Sequence, residues 1–269
     1  MKTPPIKLLA IDLDGTLLDS SKKISKKTLA ALKCLPKDVR IIIASARPPR
    51  SVRSFYQSLG LDTWQINYNG ALIWDEPANR AVYHRPMPGQ LARQIIDSAR
   101  EIFKEILISC EIMDRLHTDR LDNSFTTETS KLFEPDVIAP HETFCNQPVT
   151  KVLLLGDPKK LDQLKPIIQK KFGQKIAIVQ TDNHLLEIVN KNVSKAAALK
   201  IVAKHYNIAL NQILAIGDAS NDISMLQMSG IAVAMDNAHE SVKKVADWIA
   251  PSNNDHGVHA ALVKYGLCK

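Results

Sequence analysis

The stretch LLAIDLDGTLL, residues 8–18, decides the fold of this chain. A continuous apolar run ends here at two carboxylates, Asp12 and Asp14. Such unbroken runs are typical of strands that are buried on both faces of a parallel sheet. Three further runs also end at polar or turn residues: Ile41–Ala44 before Ser45, Leu214–Ile216 before Gly217 and Asp218, and Ile231–Ala234 before Met235 and Asp236.

Helix-like stretches lie between these runs, at Lys26–Leu35, Pro49–Leu59 and Ala196–His205. The alternation predicts an α/β core with a doubly wound, Rossmann-like parallel sheet. The middle of the chain differs, because helical stretches there alternate with isolated strand candidates. The pattern predicts an inserted α+β domain at residues 83–186 and a core at residues 1–82 and 187–269. Residues 119–148 receive no assignment.

Composition excludes several classes of protein. The chain has 269 residues, 45% of them hydrophobic, and a net charge of +7. This apolar content argues against disorder, and no apolar run reaches the roughly 20 residues that span a bilayer. Asp12 interrupts the first apolar run too early for a secretory signal, so a cytoplasmic protein with reduced cysteines and no membrane partner is expected.

The excess positive charge is confined to the predicted core. The insert carries 14 basic and 14 acidic residues, whereas residues 1–82 carry 13 basic and 7 acidic residues. The run Lys22, Lys23, Lys26 and Lys27 lacks the interleaved aromatic residues of a nucleic-acid site, so no nucleic-acid partner is expected. A small anionic substrate accounts for the charge as well.

Ligands of open parallel sheets bind beyond the carboxyl ends of the strands, so the residues after the apolar runs carry the chemistry. Asp12, Asp14 and Asp218 would repel one another at this edge, and a divalent cation removes the conflict. Hard oxygen ligands in small number favour Mg²⁺ over zinc. The alternative is structural: an Asp-Gly turn at Asp14 and Gly15, with Asp12 as a helix cap.

The ordered motifs resemble those of the haloacid dehalogenase superfamily, and in particular its Cof-type phosphatases with a C2B cap. Asp12 to Thr16 match DxDGT, Ser45 matches the second motif, Lys195 the basic third motif, and residues 217–222 match GDxxND. Asn67 to Ala71 and the segment at Asn237 and Ala238 also resemble that subfamily. The resemblance covers both halves of the core.

This resemblance implies a mechanism. Asp12 is the expected nucleophile and Asp14 the expected general acid and base. The metal ligands are expected to be the Asp12 and Asp218 carboxylates and the Asp14 backbone carbonyl. The expected phosphate-binding groups are the Ser45 hydroxyl, the Ala46 N–H, the Lys195 ammonium and the Asn221 amide. Asp222 is expected in a supporting role, either orienting Lys195 or lying in the outer shell of the metal.

Several residues have competing interpretations. Ser45 on its own also fits a helix N-cap, and Lys195 on its own fits a solvated helical lysine. Arg47, Arg50 and Arg53 are candidates for a second anionic group or for a solvated helix face. Ala46, Ala196 and Asp236 replace glycines that are usual in the family, and Asp236 adds an anion whose effect on substrate choice is open.

The predicted function is therefore a Mg²⁺-dependent phosphatase acting on small phosphorylated metabolites, such as sugar phosphates or nucleotides. Two alternatives stay open at this point. One is a phosphomutase of the phosphomannomutase type. The other is a binding or regulatory protein that takes a phosphorylated ligand without turnover, although such a protein would not need Asp14. The sequence does not decide the oligomeric state.

Overall fold

The computed structural model describes residues 5–122, 124–127 and 129–268. Its backbone contacts divide the chain into two compact units. The first unit contains the chain up to Ala46, Val52–Arg80 and everything from Ser194 onward, and the second contains Arg47–Ser51 and Ala81–Val193. In the described residues, no helix is both long and apolar enough to cross a membrane.

The regular elements follow one another in this order along the chain. The first elements are β1 (Leu8–Ile11), α1 (Lys26–Lys33), β2 (Arg40–Ile43), α2 (Pro49–Leu59), β3 (Trp64–Asn67), β4 (Leu72–Asp75) and β5 (Arg80–His84). Next come α3 (Gly89–Ile102), β6 (Leu107–Ile112), β7 (Arg115–Thr118), β8 (Val137–Ile138), α4 (His141–Phe144), β9 (Lys151–Leu155), α5 (Pro158–Phe172), β10 (Ile176–Asp182) and β11 (Leu185–Asn190). The last are α6 (Lys195–His205), β12 (Ile213–Gly217), α7 (Ile223–Met228), β13 (Ile231–Met235), α8 (Glu240–Lys243), β14 (Trp248–Ala250) and α9 (Gly257–Lys264).

The first unit is an α/β structure built on a parallel five-stranded sheet. Its strand order is β14-β13-β12-β1-β2, and every neighbouring pair runs parallel. Leu9 and Ile11 pack on one face against α1, α2 and α9, and all of β1 is fully buried. This double burial explains why the strand sequences are apolar throughout rather than alternating, and it confirms the predicted fold class.

The order of strands fixes where the polar residues gather. β1 lies between β12 and β2, so Asp12, Asp218 and the segment at Ser45 follow three adjacent parallel strands. All three strands end at the same edge of the sheet, because they run in the same direction. The edge predicted to bind ligand is thereby assembled from parts of the chain that lie about two hundred residues apart in sequence.

The second unit has a different sheet. Its six strands are ordered β10-β11-β9-β6-β7-β8 and pair antiparallel except for β7 with β8. One face packs against α3 and α5 through side chains such as Ile108, Val152 and Ile188. The alternate positions of the same strands form the opposite face, which is also buried: Leu107, Leu153, Leu155 and Leu185 make a smaller apolar cluster there, beside the buried side chains of Glu111, Lys151 and Glu187.

The boundary at which the chain returns from the second unit to the first differs from the predicted one. The sequence prediction placed residues 187–193 in the core, whereas the contacts place them in the second unit. The reason is β11, which pairs antiparallel with β9 and β10 and completes the second unit's sheet. In the stretch 119–148, which received no assignment, β8 and α4 are the regular elements among the described residues, and Asn123 and Glu128 lie outside them.

Candidate active site

The loop that follows β1 is a tight turn at the carboxyl edge of the parallel sheet. The Asp12 N–H donates to the Ile216 carbonyl at 3.0 Å, and the Leu17 N–H donates back to the Asp12 carbonyl at 3.2 Å. Gly15 adopts a φ of +82°, and a β-carbon there would lie 2.4 Å from Asp218 Oδ2. Glycine is therefore required for both its backbone conformation and the approach of Asp218.

Lys195 is the central charged residue of this edge. It is the first residue of α6, whose N-cap Ser194 accepts from the Ala197 N–H, and its side chain is fully buried. The Lys195 ammonium donates to Asp12 Oδ1 and, at 2.6 Å, to Asp222 Oδ1. The alternative of a solvated helical lysine is thus wrong for this residue.

The pKa values of this group are governed by burial and mutual charge. Burial alone would lower the pKa of Lys195, but the adjacent Asp12 and Asp222 carboxylates raise it above its ordinary value, so the ammonium stays charged. Burial, together with Asp222 and Asp218, raises the pKa of Asp12, and Lys195 opposes that rise. Burial also raises the pKa of Asp218, while a hydrogen bond from Thr16 opposes the rise.

Asp222 uses both of its carboxylate oxygens within the protein. Oδ1 accepts from Lys195, while Oδ2 accepts from the Asp218 N–H at 3.1 Å and the Ala219 N–H at 3.0 Å. Gly217 allows this arrangement, because a β-carbon there would lie 2.6 Å from the Asp222 side chain. Asp222 therefore both orients Lys195 and shapes the loop that carries Asp218.

The residues present fit a magnesium ion. Carboxylate oxygens of Asp12, Asp218 and Asp222 lie within 4.8 Å of one another, and Thr16 Oγ1 holds Asp218 Oδ1 at 2.7 Å. The cluster consists of hard oxygen donors without cysteine or histidine, which is the donor set that Mg²⁺ prefers over zinc. Because the Asp222 oxygens are engaged, Asp12 and Asp218 are the carboxylates that would hold the ion.

The Asp14 side chain has a basic partner. Asp14 Oδ1 forms an ion pair with Lys22 Nζ at 2.9 Å, and both side chains are more than a third exposed. The Lys22 backbone, with a φ of +59°, lies in a turn in which Asp19 accepts from the backbone N–H groups of Ser21 and Lys23. Lys22, from the basic run at residues 22–27, is thus a partner of Asp14, the expected general acid and base. This contact was not predicted from the sequence.

Three expected phosphate-binding groups lie on neighbouring loops. Ser45 is buried, and its N–H donates to the Ile66 carbonyl at 2.9 Å. Because α2 begins at Pro49, Ser45 is not at the N-cap position of that helix. Ala46 follows directly, and Asn221 lies in the loop after β12, where its Nδ2 donates to Asn69 Oδ1 at 2.8 Å.

Asn69 and Gly70 belong to the site although no role was assigned to them from sequence. Asn69 has a φ of +58° and Gly70 a φ of +100°. A β-carbon on Gly70 would lie 2.3 Å from the Ser194 carbonyl oxygen, so this glycine lets the start of α6 approach. The Asn-Gly pair was the available signal, since both residues favour positive φ.

The remaining candidates have partners elsewhere. Arg53 pairs with Glu76 at 2.5 Å, and Arg50, within the second unit, pairs with Glu111 at 2.7 Å and with Asp114 at 3.2 Å. Arg47 is buried. Asp236, which replaces a usual glycine, is exposed and forms a 3.6 Å ion pair with Lys243. Among the described contacts, neither Arg53 nor Asp236 contacts the carboxylate cluster.

A family profile and two similar proteins all indicate a hydrolase or phosphatase. The sequence profile of the haloacid dehalogenase-like hydrolases matches residues 9–262. The chain is 29% identical over 275 residues to 5-amino-6-(5-phospho-D-ribitylamino)uracil phosphatase YitU of Bacillus subtilis, covering 98% of this chain and 99% of that protein. Phosphatase YwpJ of the same organism is also 29% identical, over 97% of this chain and 100% of its own length.

A solved structure supports the same relationship. A haloacid dehalogenase-like hydrolase from Bacteroides thetaiotaomicron superimposes with a TM-score of 0.85 and 27% identity, covering 96% of this chain and 99% of the other. The similarity thus includes both units of the chain rather than the parallel sheet alone.

Proposed function

The chain belongs to the haloacid dehalogenase-like hydrolases and is a phosphatase, and we propose that it hydrolyses small phosphorylated metabolites with Mg²⁺ through an aspartyl-phosphate on Asp12. We further propose that the second unit is the cap domain expected from the sequence. The observation that carries the proposal is the buried Lys195 ammonium between Asp12 and Asp222, with Asp218 beside them.

In the first step, an Asp12 carboxylate oxygen attacks phosphorus, the new O–P bond forms, and the bond to the ester oxygen breaks. Asp14 donates a proton to the departing oxygen, which leaves as an alcohol. In the second step, Asp14 takes a proton from water, and that water attacks phosphorus to release inorganic phosphate and regenerate Asp12. The exposed position of Asp14 leaves it accessible to both the alcohol and the water.

The other residues bind the transferred group and hold Asp12 ready to react. The Ser45 hydroxyl, the Ala46 N–H, the Lys195 ammonium and the Asn221 amide would donate hydrogen bonds to phosphoryl oxygens. Lys195 also favours the ionised form of Asp12, because its charge opposes the rise in the pKa of Asp12 that burial causes. A Mg²⁺ ion held by the Asp12 and Asp218 carboxylates and the Asp14 carbonyl would supply further positive charge against the phosphate.

The substrate class follows from charge and from the relatives. The basic excess in residues 1–82 suits a small anion. The relative YitU acts, by its name, on the phosphate ester of a ribitylamino-uracil, which combines a sugar-alcohol phosphate with a base-like ring. We therefore propose substrates of the size of sugar phosphates and nucleotides.

The test is phosphate release from a panel of such esters, with p-nitrophenyl phosphate included, in Mg²⁺ and in EDTA. We expect release that requires Mg²⁺ and that falls by at least about a thousandfold in Asp12→Asn, because an amide does not attack phosphorus. Asp38→Asn is the matched control, since this exposed carboxylate pairs with Lys7 at the opposite edge of the sheet. No metal-dependent release from any ester would contradict the proposal.

Two outcomes of the same assay would favour the alternatives. A phosphomutase would transfer labelled phosphate between positions of a sugar bisphosphate instead of releasing it. A binding protein would retain the esters without turnover in the wild type. The role of Asp14 is tested by Asp14→Asn, which we expect to slow alkyl phosphates more than p-nitrophenyl phosphate, because nitrophenolate leaves without a proton.

A further inference from the structure

Asn69 connects two of the residues proposed to bind phosphate. Its backbone N–H donates to the Ser45 carbonyl at 3.0 Å, and its side-chain Oδ1 accepts from Asn221 Nδ2 at 2.8 Å. The residue is only 4% exposed. Its φ of +58° lies in the left-handed region, where asparagine is tolerated better than most residues.

The amide pair of Asn69 and Asn221 is incompletely satisfied. Among the residues that the structure describes, Asn69 Nδ2 and Asn221 Oδ1 are buried and have no hydrogen-bond partner. Buried amide groups are rarely left in this state, because an unmade hydrogen bond costs free energy. An unused donor on Asn69 and an unused acceptor on Asn221 indicate that the two amides have a second hydrogen-bonding arrangement.

The direction of the hydrogen bond decides what Asn221 can offer that ligand. Asn221 Nδ2 donates one of its two N–H groups to Asn69, and the atom without a partner is the Oδ1 acceptor, which repels a phosphoryl oxygen. A rotation of both amides by 180° keeps one hydrogen bond but reverses it. Asn69 Nδ2 then donates to Asn221 Oδ1, and Asn221 Nδ2 becomes available to the phosphate.

We infer that Asn69 is a positioning residue of the phosphate pocket, which sets the orientation of the Asn221 amide. This inference rests on the proposed function, because phosphate is the ligand that requires the Asn221 donor. Asparagine is suited to the position, because its side chain can either accept from or donate to Asn221 while its backbone keeps the positive φ that contacts Ser45.

The test uses Asn69→Asp, which has nearly the same shape and also tolerates positive φ. A carboxylate at this position only accepts hydrogen bonds, so it holds the Asn221 amide in the orientation that presents Oδ1 rather than Nδ2 to the phosphate. The readout is the dissociation constant of inorganic phosphate for the Mg²⁺-loaded protein, measured by calorimetry in every variant, and NMR of the ¹⁵N-labelled Asn221 side-chain amide reports the change at Asn221 itself. This signal is assigned by its loss in Asn221→Ala. We expect weakening by about 10- to 100-fold.

A double-mutant cycle separates this effect from simple repulsion by the new charge. If Asn69 acts through Asn221, adding Asn69→Asp to Asn221→Ala weakens phosphate binding by less than about twofold. An equal loss in both backgrounds would mean charge repulsion and would overturn the inference.

A second variant guards against a purely structural effect. Asn69→Gly keeps the backbone conformation but frees the Asn221 amide, so we expect a dissociation constant between those of the wild type and Asn69→Asp. A loss as large as that of Asn69→Asp would overturn the inference. Wild-type protein that binds no phosphate would contradict the proposed function itself, whereas normal binding by Asn69→Asp would overturn the role of Asn69 alone.

Discussion

Each unit of the molecule contains a buried lysine bonded to carboxylates, and the two settings differ in charge balance. In the first unit, Lys195 lies among Asp12, Asp218 and Asp222, so this cluster contains three acidic groups and one basic group. In the second unit, Lys151 pairs with Glu187 at 2.5 Å, and its register neighbour Glu111 pairs with Arg50. A balanced pair can serve structure alone, whereas a surplus of acidic groups raises the pKa values of Asp12 and Asp218 and favours the binding of a cation.

The largest expected effect comes from removing each lysine. Lys195→Met leaves buried carboxylates without their cation, so we expect the free energy of unfolding at neutral pH to fall by about 3–5 kcal/mol. Phosphate release should fall by at least about a hundredfold. Lys151→Met should destabilise its own unit through the loss of the Glu187 pair.

Magnesium distinguishes the two variants. Because we propose that Mg²⁺ binds the first cluster, we expect it to restore part of the stability of Lys195→Met and none of that of Lys151→Met, in urea unfolding with and without the ion. If Mg²⁺ restored the same amount of stability to both variants, the proposed difference between the units would be contradicted.

The next effect concerns the position of Asp218. Gly15→Ala places a β-carbon 2.4 Å from Asp218 Oδ2, whereas Gly60→Ala, at a similar φ of +65°, has no heavy atom within 4 Å. Both variants should lose about 1–2 kcal/mol from backbone strain. Only Gly15→Ala should also weaken Mg²⁺ binding, by about 10- to 100-fold, as measured by calorimetry. Equal Mg²⁺ affinities would show that the cluster tolerates a displaced Asp218.

A smaller effect tests a feature that the units share. Ser25 caps α1 in the first unit by accepting from the Thr28 N–H, and Asp157 caps α5 in the second by accepting from the Lys159 N–H. Ser25→Ala and Asp157→Ala should each cost about 1 kcal/mol of unfolding free energy. The two losses should be the same in Mg²⁺ and in EDTA, and a dependence on the ion for either would contradict a purely structural role.

The smallest effect is a pH dependence within the second unit. Burial lowers the pKa of His84 and of His117 below the ordinary value, so the unfolded chain binds protons that the folded unit does not. Their contribution to stability is therefore complete above about pH 6.5 and is lost as the pH falls below it.

Replacing one histidine isolates this contribution. His84→Gln keeps a polar group near Thr150, the hydrogen-bond partner of His84. It should flatten the dependence of the unfolding midpoint on pH between about 5 and 7. The control is His239→Gln, which changes an exposed histidine of the first unit. An unchanged slope in His84→Gln would show that this histidine does not couple folding to protons.

The residues that sequence reasoning located best are those that directly follow a strand. Asp12 and Asp218 gather at one edge because β1 and β12 are adjacent and parallel, and continuous apolar runs predict such strands. The pairing of Lys195 with Asp222 was expected only as one of two options. It depends on where α6 begins and on the approach permitted by Gly70, which no spacing in the sequence reveals.

Other features escaped prediction for physical reasons. The apolar run Leu185–Val189 looks the same whether it forms a core strand or an antiparallel strand of the insert, so periodicity could not place the second junction. The contact of Lys22 with Asp14 depends on a turn with positive φ. The amide pair of Asn69 and Asn221 joins residues that are far apart in sequence, and its incomplete hydrogen bonding is visible only in the structure.

The register of β1 has a consequence for synthesis on the ribosome. Leu8 pairs with Ile213, so one side of β1 has no partner until more than two hundred further residues have emerged. The sheet of the second unit joins strands from Leu107 to Asn190, and all of these emerge earlier. We therefore expect the second unit to fold first during translation. Until β12 arrives, the exposed edge of β1 is the part of the nascent chain most in need of chaperone protection.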